Sequence, residues 1–292
     1  MSVKFFKKFI PFKLVQYFRY IIYFFLNFPT NIRGILGLFK NKRRILFVAA
    51  IPKSGSTWVE NFLSSLPNCL IRPINGSPKL ISEQNLPKNS FNCFPKFGFS
   101  TVKTHINPNL SNFKVLSDND INKILVIYRD PRDCAISRYY HLLSYPKKNH
   151  EIHSKPHYQK ISKNEAIDHS INIVIKEFFP WISGWFNYAK ENPNKCLLIS
   201  YEDLYDSPVD QFYKICKFYS FPITKNKVKH ILSSLDRRKG NLSDLGKNQK
   251  LGEGSTFRKG GHGIWNKEFS EDQKKYFSEH AEKDLLRFGY KN

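Results

Sequence analysis

An apolar segment that runs directly into a turn of small residues and then into a helix constrains this chain most. Ile45 to Ile51 form an apolar run typical of a buried strand, and Thr57 to Leu66 have the pattern of a helix. Between them lies the turn Pro52-Lys53-Ser54-Gly55-Ser56-Thr57-Trp58. Backbone N–H groups converge at such a turn, its hydroxyls add donors, and Lys53 adds positive charge. The segment therefore predicts an anion-binding site at the end of a strand.

Further apolar segments follow, and helical segments alternate with them. Strands are predicted at Phe99 to Lys103, Ile124 to Tyr128 and Cys196 to Ser200. The predicted helices span Asp133 to Leu143, Asn164 to Glu191 with a break or kink at Pro180, Pro208 to Tyr219, Lys225 to Leu235, and Asp272 to Phe288. Buried strands that alternate with helices favour a parallel sheet covered on both faces. The sequence therefore predicts a three-layer α/β domain over residues 45–292.

The N-terminal segment differs from the rest in charge. Of the formal net charge of +23, +10 lies in residues 1–44, which contain no acid, and eleven aromatic residues lie in the first 28 positions. We therefore expect a basic amphipathic helical arm over residues 1–44. A helix over residues 12–28 would gather Lys13, Gln16, Arg19 and Asn27 on one third of its surface. Such a helix could lie on an anionic membrane surface or pack on the domain.

The composition excludes several classes of protein. With 41% hydrophobic and 15% aromatic residues, the chain can bury a core, so it is not intrinsically disordered. The positive charge favours acidic partners, namely nucleic acid, an anionic membrane, or small molecules with phosphate or sulfate groups. The longest apolar run of the arm, Tyr20 to Phe28, has nine residues, whereas a membrane span needs about 20.

The cysteines and histidines suggest neither disulfides nor a metal site. The five cysteines are odd in number and include no C-x-x-C pair, which favours a protein of the reducing cytoplasm. The basic arm leaves open that the protein lies at the membrane surface within that compartment. His150, His153 and His157 have a spacing compatible with metal, but the Lys and Pro around them favour a solvated loop. We expect no metal.

Two further motifs follow the first in chain order. Tyr128-Arg129-Asp130-Pro131-Arg132-Asp133 joins a strand to a helix that carries Ser137, and Phe257 to Trp265 form a basic, glycine-rich loop. Together the three motifs resemble those of the sulfotransferases that use 3′-phosphoadenosine 5′-phosphosulfate (PAPS), over about residues 45 to 290. The resemblance implies a P-loop NTPase-like fold, PAPS as sulfuryl donor and adenosine 3′,5′-bisphosphate as product. The first turn is not a Walker A loop, because it has one glycine and its lysine precedes that glycine.

The resemblance also implies roles for single residues. The turn after the first strand matches the 5′-phosphosulfate loop, the second motif matches the 3′-phosphate site, and the third matches a loop that closes over that phosphate. Trp58 and Tyr201 match residues that contact adenine. The donor-binding residues implied in this way are Lys53, Ser54, Gly55, Ser56, Thr57, Trp58, Arg129, Ser137, Tyr201, Arg258, Lys259 and Gly260.

Three residues are candidates for catalysis. Val102-Lys103-Thr104-His105 is similar to the Lys-Thr-His of the family, which makes His105 the general base and Lys103 a second cation for the transition state. Histidine suits proton removal near neutral pH. Lys53 is the candidate for neutralising the leaving phosphate. We predict in-line transfer of a sulfuryl group to a hydroxyl or amine.

Each assignment has a structural alternative. The three hydroxyl residues of the turn could be an ordinary helix cap without a ligand, and Arg129 could pair with Asp130 or Asp133. His105 could cap a strand, and Trp58 could belong to the core. The chain also departs from the family, because Gly263-Ile264-Trp265-Asn266 stands where Gly-Asp-Trp-Lys is usual. This departure leaves open how the closing loop is tethered.

Two other functions stay open. One is a non-catalytic basic protein that binds membranes or nucleic acid, and the other is a P-loop nucleotide kinase, which alone would need Mg²⁺ and ATP. For the sulfotransferase we expect a small-molecule, glycan or lipid acceptor, with segments 70–100 and 142–165 lining its pocket. Peripheral membrane contact would use residues 1–30, and no nucleic acid partner is expected.

Overall fold

A parallel sheet of five strands forms the centre of the protein. The computed structural model describes residues 28, 44–72, 74, 85–92, 94–143, 158–235 and 260–291, so the predicted arm lies almost wholly outside the described residues. The strands are Arg44–Ala50 (β1), Cys69–Ile71 (β2), Phe99–Thr104 (β3), Ile124–Tyr128 (β4) and Cys196–Ser200 (β5). Their order is β2-β3-β1-β4-β5, and every neighbouring pair is parallel.

Helices follow the strands along the chain. In the part that the structure describes they are Ser56–Ser64 (α1), Leu110–Ser117 (α2), Pro131–Leu143 (α3), Lys163–Ile173 (α4), Phe179–Glu191 (α5), Tyr201–Asp206 (α6), Pro208–Phe218 (α7), Lys225–Ser234 (α8), Trp265–Glu268 (α9) and Glu271–Arg287 (α10). None of the described residues belongs to a helix long and apolar enough to cross a membrane.

The side chains of β1 divide between two cores, one on each face of the sheet. Phe47 and Ala49 belong to one core, and Leu46, Val48 and Ala50 to the other. Successive residues of a strand point to opposite faces, so an unbroken apolar run is buried only if both faces are covered. Helices α3, α5 and α10 contribute to the first core, and α1, α7 and α8 to the second. The predicted three-layer α/β fold is confirmed.

The long predicted helix from Asn164 to Glu191 is divided. A π-helical turn, Val174–Phe178, separates α4 from α5, and Pro180 lies in the first turn of α5. Proline has no N–H to donate and its ring clashes with the preceding turn, so the break expected at Pro180 is placed just before it. The short elements β2, α2, α6 and α9 were not predicted, because segments of three to eight residues show too little periodicity.

The parallel strands bring the predicted site together at one edge of the sheet. The C-terminal ends of β1, β3, β4 and β5 lead directly into the Pro52 turn, His105, Arg129 and Tyr201. The central strand β1 lies between β3 and β4, so chain connections leave it toward both sides of the sheet. Ligands of open parallel sheets bind where the connections diverge in this way.

Candidate active site

The turn after β1 has the backbone geometry of an anion site. Lys53 and Gly55 both lie in the left-handed region, with φ of 72° and 78°. For lysine this conformation is unusual and costs on the order of 1 kcal/mol. Gly55 is the N-cap of α1, and no side chain caps that helix end, while the Ser54 hydroxyl donates to the carbonyl of Ile51 at 2.8 Å. The hydroxyls therefore do not form a side-chain cap. In the first helical turn the N–H of Trp58 donates to the Gly55 carbonyl at 2.8 Å, which leaves the N–H groups of Ser56 and Thr57 to an anion.

Lys53 is a half-buried cation in this turn. Burial, assisted by the nearby positive charge of Arg129, lowers the pKa of Lys53 from its ordinary 10.5 to about 8. Among the described residues no carboxylate pairs with it. A cation held in this way gains most from an anionic ligand, because such a ligand replaces the solvation that burial removed.

Arg129, at the end of β4, joins the turn to the C-terminal segment. Its Nη1 donates to the carbonyl of Lys53 at 3.2 Å, and its Nη2 donates to the carbonyl of Gly261 at 2.9 Å. Nη2 also lies 3.6 Å from Oδ2 of Asp133. Its Nε is buried without a hydrogen-bond partner. Asp130, the other acid weighed as a partner of Arg129, instead pairs with Arg132 at 2.8 Å.

The Tyr201 ring fills the space between Arg129 and the turn. The Arg129 guanidinium carbon lies 4.4 Å from the ring centroid. On the other side, a Cβ added to Gly55 would lie 2.6 Å from Cδ2 of the same ring. Gly55 therefore combines a positive φ with a contact that no side chain could tolerate. In this structure Tyr201 supports the turn and Arg129; its predicted contact with adenine stays a prediction.

His105 is held by the strand next to it. Its Nδ1 lies 2.5 Å from the backbone carbonyl oxygen of Ala50 in β1. A carbonyl only accepts hydrogen bonds, so Nδ1 carries the proton and the lone pair resides on Nε2. Burial lowers the pKa of His105 below its ordinary value. The neutral ring with a basic Nε2 is the form that a general base requires.

Lys103, two residues before His105, is already paired. Its Nζ lies 2.9 Å from Glu60 Oε2 and donates to Thr57 Oγ1 at 3.2 Å. Glu60 and Thr57 both belong to α1, so Lys103 joins the end of β3 to the first turns of that helix. This lysine is placed beside the turn, but part of its charge is neutralised by Glu60.

The remaining predicted residues are placed as follows. Ser137 is half-buried on α3, and Gly260 lies at the start of the described C-terminal segment with φ of 71°. Trp58 is half-buried and packs edge-on against Phe212 of α7, with 5.1 Å between ring centroids; its predicted contact with adenine stays a prediction. Arg258 and Lys259 lie outside the described residues.

Asp133 explains how the C-terminal segment is tethered. Its Oδ2 accepts the N–H of Gly263 at 2.7 Å, and its Oδ1 accepts the N–H of Trp265 at 3.0 Å. The guanidinium of Arg132 lies over the Trp265 ring, 3.9 Å from its centroid. These contacts use the backbone and the tryptophan ring, so they do not require the acid and base that Ile264 and Asn266 replace.

The donor atoms at this edge fit a multiply anionic nucleotide. Lys53 and Arg129 supply charge, the left-handed turn supplies backbone N–H groups, and the Arg129 Nε is a buried donor without a partner. The acids nearest to these cations are engaged, since Glu60 binds Lys103 and Asp133 binds two backbone N–H groups. Within the described ranges no cluster of His, Cys, Asp or Glu could hold a metal ion, and His150, His153 and His157 lie outside them.

Fold and site define an α/β protein with the donors for a polyanionic ligand at the C-terminal edge of a parallel sheet. The family model of the sulfotransferase domain matches residues 43–289. The chain therefore belongs to the sulfotransferase family, which confirms the family and the enzyme class predicted from the three motifs.

Individual relatives are distant. Flavonol 3-sulfotransferase of Flaveria bidentis is 24% identical over 264 residues, covering 80% of this chain and 79% of that protein. The 3-alpha-hydroxysteroid sulfotransferase of Cavia porcellus is 27% identical over 199 residues, covering 65% and 63%. Among solved structures, a mouse sulfotransferase complexed with PAP superposes with a TM-score of 0.62 at 20% identity, covering 88% of this chain and 89% of that one. Retinol dehydratase in complex with retinol and PAP superposes with a TM-score of 0.56 at 17% identity, covering 82% of this chain and 81% of that one.

Several residues that shape the site were not assigned to it from the sequence. Glu60 gave no signal, because one acid on a helix next to the turn is ordinary. Trp181 of α5 donates from Nε1 to the carbonyl of Ile106 at 2.8 Å, and nothing in its spacing relates it to His105. Asp133 has a signal in the sequence, since it lies four residues after Arg129 at the start of a helix, but this spacing predicts an ion pair and not the hydrogen bonds to Gly263 and Trp265.

Proposed function

We propose that this protein transfers a sulfuryl group from PAPS to a hydroxyl or amine of a small organic acceptor. One observation carries the proposal: Lys53, Arg129 and His105 meet at one edge of the sheet around a left-handed turn. The PAP complexes of the structural relatives support the choice of donor, and the names of the sequence relatives, which include flavonol and hydroxysteroid sulfotransferases, support a small-molecule acceptor.

The turn and Arg129 hold the two charged ends of the donor. Lys53, the N–H groups after Gly55 and the hydroxyls of Ser56 and Thr57 bind the 5′ end, where a transferable sulfuryl group is supplied when PAPS is bound. Arg129 binds the 3′-phosphate with Ser137, and the Nε of its guanidinium is the donor left for that contact. Arginine suits a phosphate dianion because its guanidinium stays charged and its N–H donors are held in one plane.

His105 removes the proton of the acceptor. Its Nδ1–H is fixed by Ala50, so only Nε2 is free to accept a proton, and the hydrogen bond keeps the ring in one orientation. The lowered pKa keeps His105 neutral at pH 7. Lys53 neutralises charge on the leaving phosphate as the sulfuryl group departs. Lys103 assists to the extent that its pairing with Glu60 allows.

The test is turnover of PAPS by the full chain with a panel of phenols, steroids and amines, in buffer containing EDTA. We expect acceptor-dependent release of adenosine 3′,5′-bisphosphate without metal. Turnover that requires Mg²⁺ and ATP would instead support the kinase alternative. A chain that does not bind adenosine 3′,5′-bisphosphate at near-physiological salt would support a non-catalytic basic protein.

The role of His105 is tested by His105→Ala. We expect a loss of kcat of at least about a hundredfold, the lower range for a general base, with affinity for adenosine 3′,5′-bisphosphate within twofold of wild type. His169→Ala is a matched control, because that histidine contacts the hydroxyl of Tyr158, away from the turn. A His105→Ala variant that keeps wild-type kcat would remove His105 from this role.

We also propose that the enzyme works in the cytoplasm. The names of relatives that include cytosolic sulfotransferases of Arabidopsis thaliana support this. The four described cysteines, Cys69, Cys134, Cys196 and Cys216, are buried free thiols, which suits a reducing compartment. Fractionation of cells that express the full chain tests the location, and recovery from an oxidising compartment would overturn it.

A further inference from the structure

We propose that Asp133 is a positioning residue for the 3′-phosphate site, acting on Arg129 both directly and through the backbone of residues 261–265. This inference rests on the proposed function, because it concerns the guanidinium that would bind the 3′-phosphate. Asp133 itself touches no ligand in this proposal. Its side chain is fully buried, so its charge interacts only with groups of the protein.

The direct contact is electrostatic. Oδ2 of Asp133 lies 3.6 Å from Nη2 of Arg129, one helical turn away at the start of α3. Because both side chains are buried, this interaction is weakly screened. It draws Nη2 toward the C-terminal segment, which leaves Nε on another edge of the guanidinium without a protein partner.

The indirect contact runs through the backbone. Asp133 accepts the N–H groups of Gly263 and Trp265 at 2.7 and 3.0 Å, which fixes the segment just after Gly261. The carbonyl of Gly261 in turn accepts a hydrogen bond from Nη2 of Arg129 at 2.9 Å. One carboxylate therefore holds both the arginine and the carbonyl that orients it.

A second pair of residues fixes the far end of the same segment. Arg132 lies over the Trp265 ring, 3.9 Å from its centroid, and forms paired hydrogen bonds to Asp130. The same arginine donates to the carbonyl of Lys291 at 2.7 Å. Trp265 is thus held at its backbone by Asp133 and at its ring by Arg132, so the segment cannot shift without breaking buried polar contacts.

The experiment compares two ligands that differ only at the 3′ position. Asp133→Asn keeps the shape of the side chain, but one of its two oxygens becomes an NH₂ group, so one backbone N–H loses its acceptor. We expect affinity for adenosine 3′,5′-bisphosphate to fall about tenfold or more, the range for a lost hydrogen bond to a charged group. Affinity for adenosine 5′-phosphate should fall much less, because Asp133 makes no contact with the turn after β1 and reaches it only through the hydrogen bond from Arg129 Nη1 to the Lys53 carbonyl. Asp118→Asn, on the surface of the domain, is the matched control.

A double-mutant cycle separates positioning from general destabilisation. In an Arg129→Ala background, Asp133→Asn should have little further effect on bisphosphate affinity, because the group it positions is gone. An equal loss in both backgrounds, or an equal loss for both ligands, would overturn the inference. If wild type binds neither nucleotide, the proposed function is wrong. If wild type binds the bisphosphate and Asp133→Asn binds it equally well, only the inference about Asp133 is wrong.

Hydrogen exchange on the wild-type chain tests the geometry without any substitution. The amides of Gly263 and Trp265 should exchange slowly, since both donate to a buried carboxylate, and their exchange should slow further when adenosine 3′,5′-bisphosphate is added. Rapid exchange of both amides in the folded protein would overturn the proposal even if Asp133→Asn does not fold.

Discussion

At the scale of single residues, the site depends on the protonation states of Lys53 and His105, and burial lowers the pKa of both from different ordinary values. Lys53 stays mainly charged at pH 7, although burial lowers its pKa to about 8. His105 stays neutral because burial lowers its pKa below the ordinary value, and the hydrogen bond from its Nδ1–H to Ala50 fixes the tautomer. At pH 7 the site therefore holds a charged Lys53 and a neutral His105, the forms that the proposed mechanism requires.

The affinity for adenosine 3′,5′-bisphosphate should fall as pH rises above about 8. A phosphate next to Lys53 favours its charged form, so binding above the free-state pKa requires uptake of a proton. Affinity should decrease by up to about tenfold per pH unit in that range. Calorimetric titrations between pH 7 and 9.5 measure this. Lys53→Arg should remove the dependence, and a slope that persists in that variant would assign it to another group.

Gly55 and Gly184 act in different ways. Gly55 needs both its positive φ and the space taken by the Tyr201 ring. Gly184 lies within α5, where any residue is allowed by the backbone, but an added Cβ would lie 2.5 Å from Cγ of Pro108. Its role is one of close approach, which concerns the packing of whole elements.

At the scale of elements, α5 holds the segment that follows His105. Trp181 donates from Nε1 to the carbonyl of Ile106, and Gly184 lies against Pro108. The π turn before α5 sets where this helix begins relative to α4. A π turn also changes the rotation of the residues after it, which determines which side of α5 faces Ile106 and Pro108.

Gly184→Ala should destabilise the protein by about 1–3 kcal/mol, because the Pro108 ring cannot yield easily. At an open helix position, replacing glycine by alanine would instead stabilise the protein by about 1 kcal/mol. The change in stability expected for Gly184→Ala is therefore opposite in sign to the one that helix propensity predicts. Urea denaturation measures the change in unfolding free energy. We also expect kcat to fall while affinity for adenosine 3′,5′-bisphosphate is kept.

Ser183→Ala, one residue earlier on α5, serves as the control for this substitution. It changes helix propensity without creating the contact with Pro108. If Gly184→Ala proves as stable and as active as Ser183→Ala, α5 does not hold the His105 segment in the way described.

At the scale of the whole molecule, the net charge of +23 divides between the domain and the N-terminal segment. In the domain, Lys103, Arg129 and Arg132 are paired with acids, whereas no carboxylate among the described residues pairs with Lys53. The +10 of residues 1–44 has no acid within the same segment. This segment, almost wholly outside the described residues, stays a predicted amphipathic arm whose partner is a membrane surface or the domain.

Deletion of residues 1–30 tests the arm. If it binds membranes, the full chain should sediment with vesicles containing phosphatidylserine and the deleted chain should not, because both bases and aromatic rings are removed. Vesicles of phosphatidylcholine alone control for binding that does not depend on charge. Equal sedimentation of the two chains would show that the arm does not contact the membrane.

The sequence by itself determined the elements and the local chemistry of the protein. The apolar run of β1, the Pro52–Trp58 turn and the motif at Arg129 each depend on neighbours in the chain. The alternation of strand and helix patterns predicted the three-layer fold, and the resemblance of the three motifs to those of the sulfotransferases implied the candidate site residues. The strand boundaries were placed within one residue, and the strands β3, β4 and β5 were found for the same reason.

Only the tertiary structure decided which of these residues act on one another. That Asp133 binds the N–H groups of Gly263 and Trp265, that Glu60 neutralises Lys103, and that Ala50 fixes the tautomer of His105 are contacts between segments 43 to 132 residues apart. Such contacts follow from the order of strands in the sheet and the packing of helices on it. No local pattern encodes them, because hydrogen bonds and ion pairs depend on distances in space that spacing along the chain does not fix.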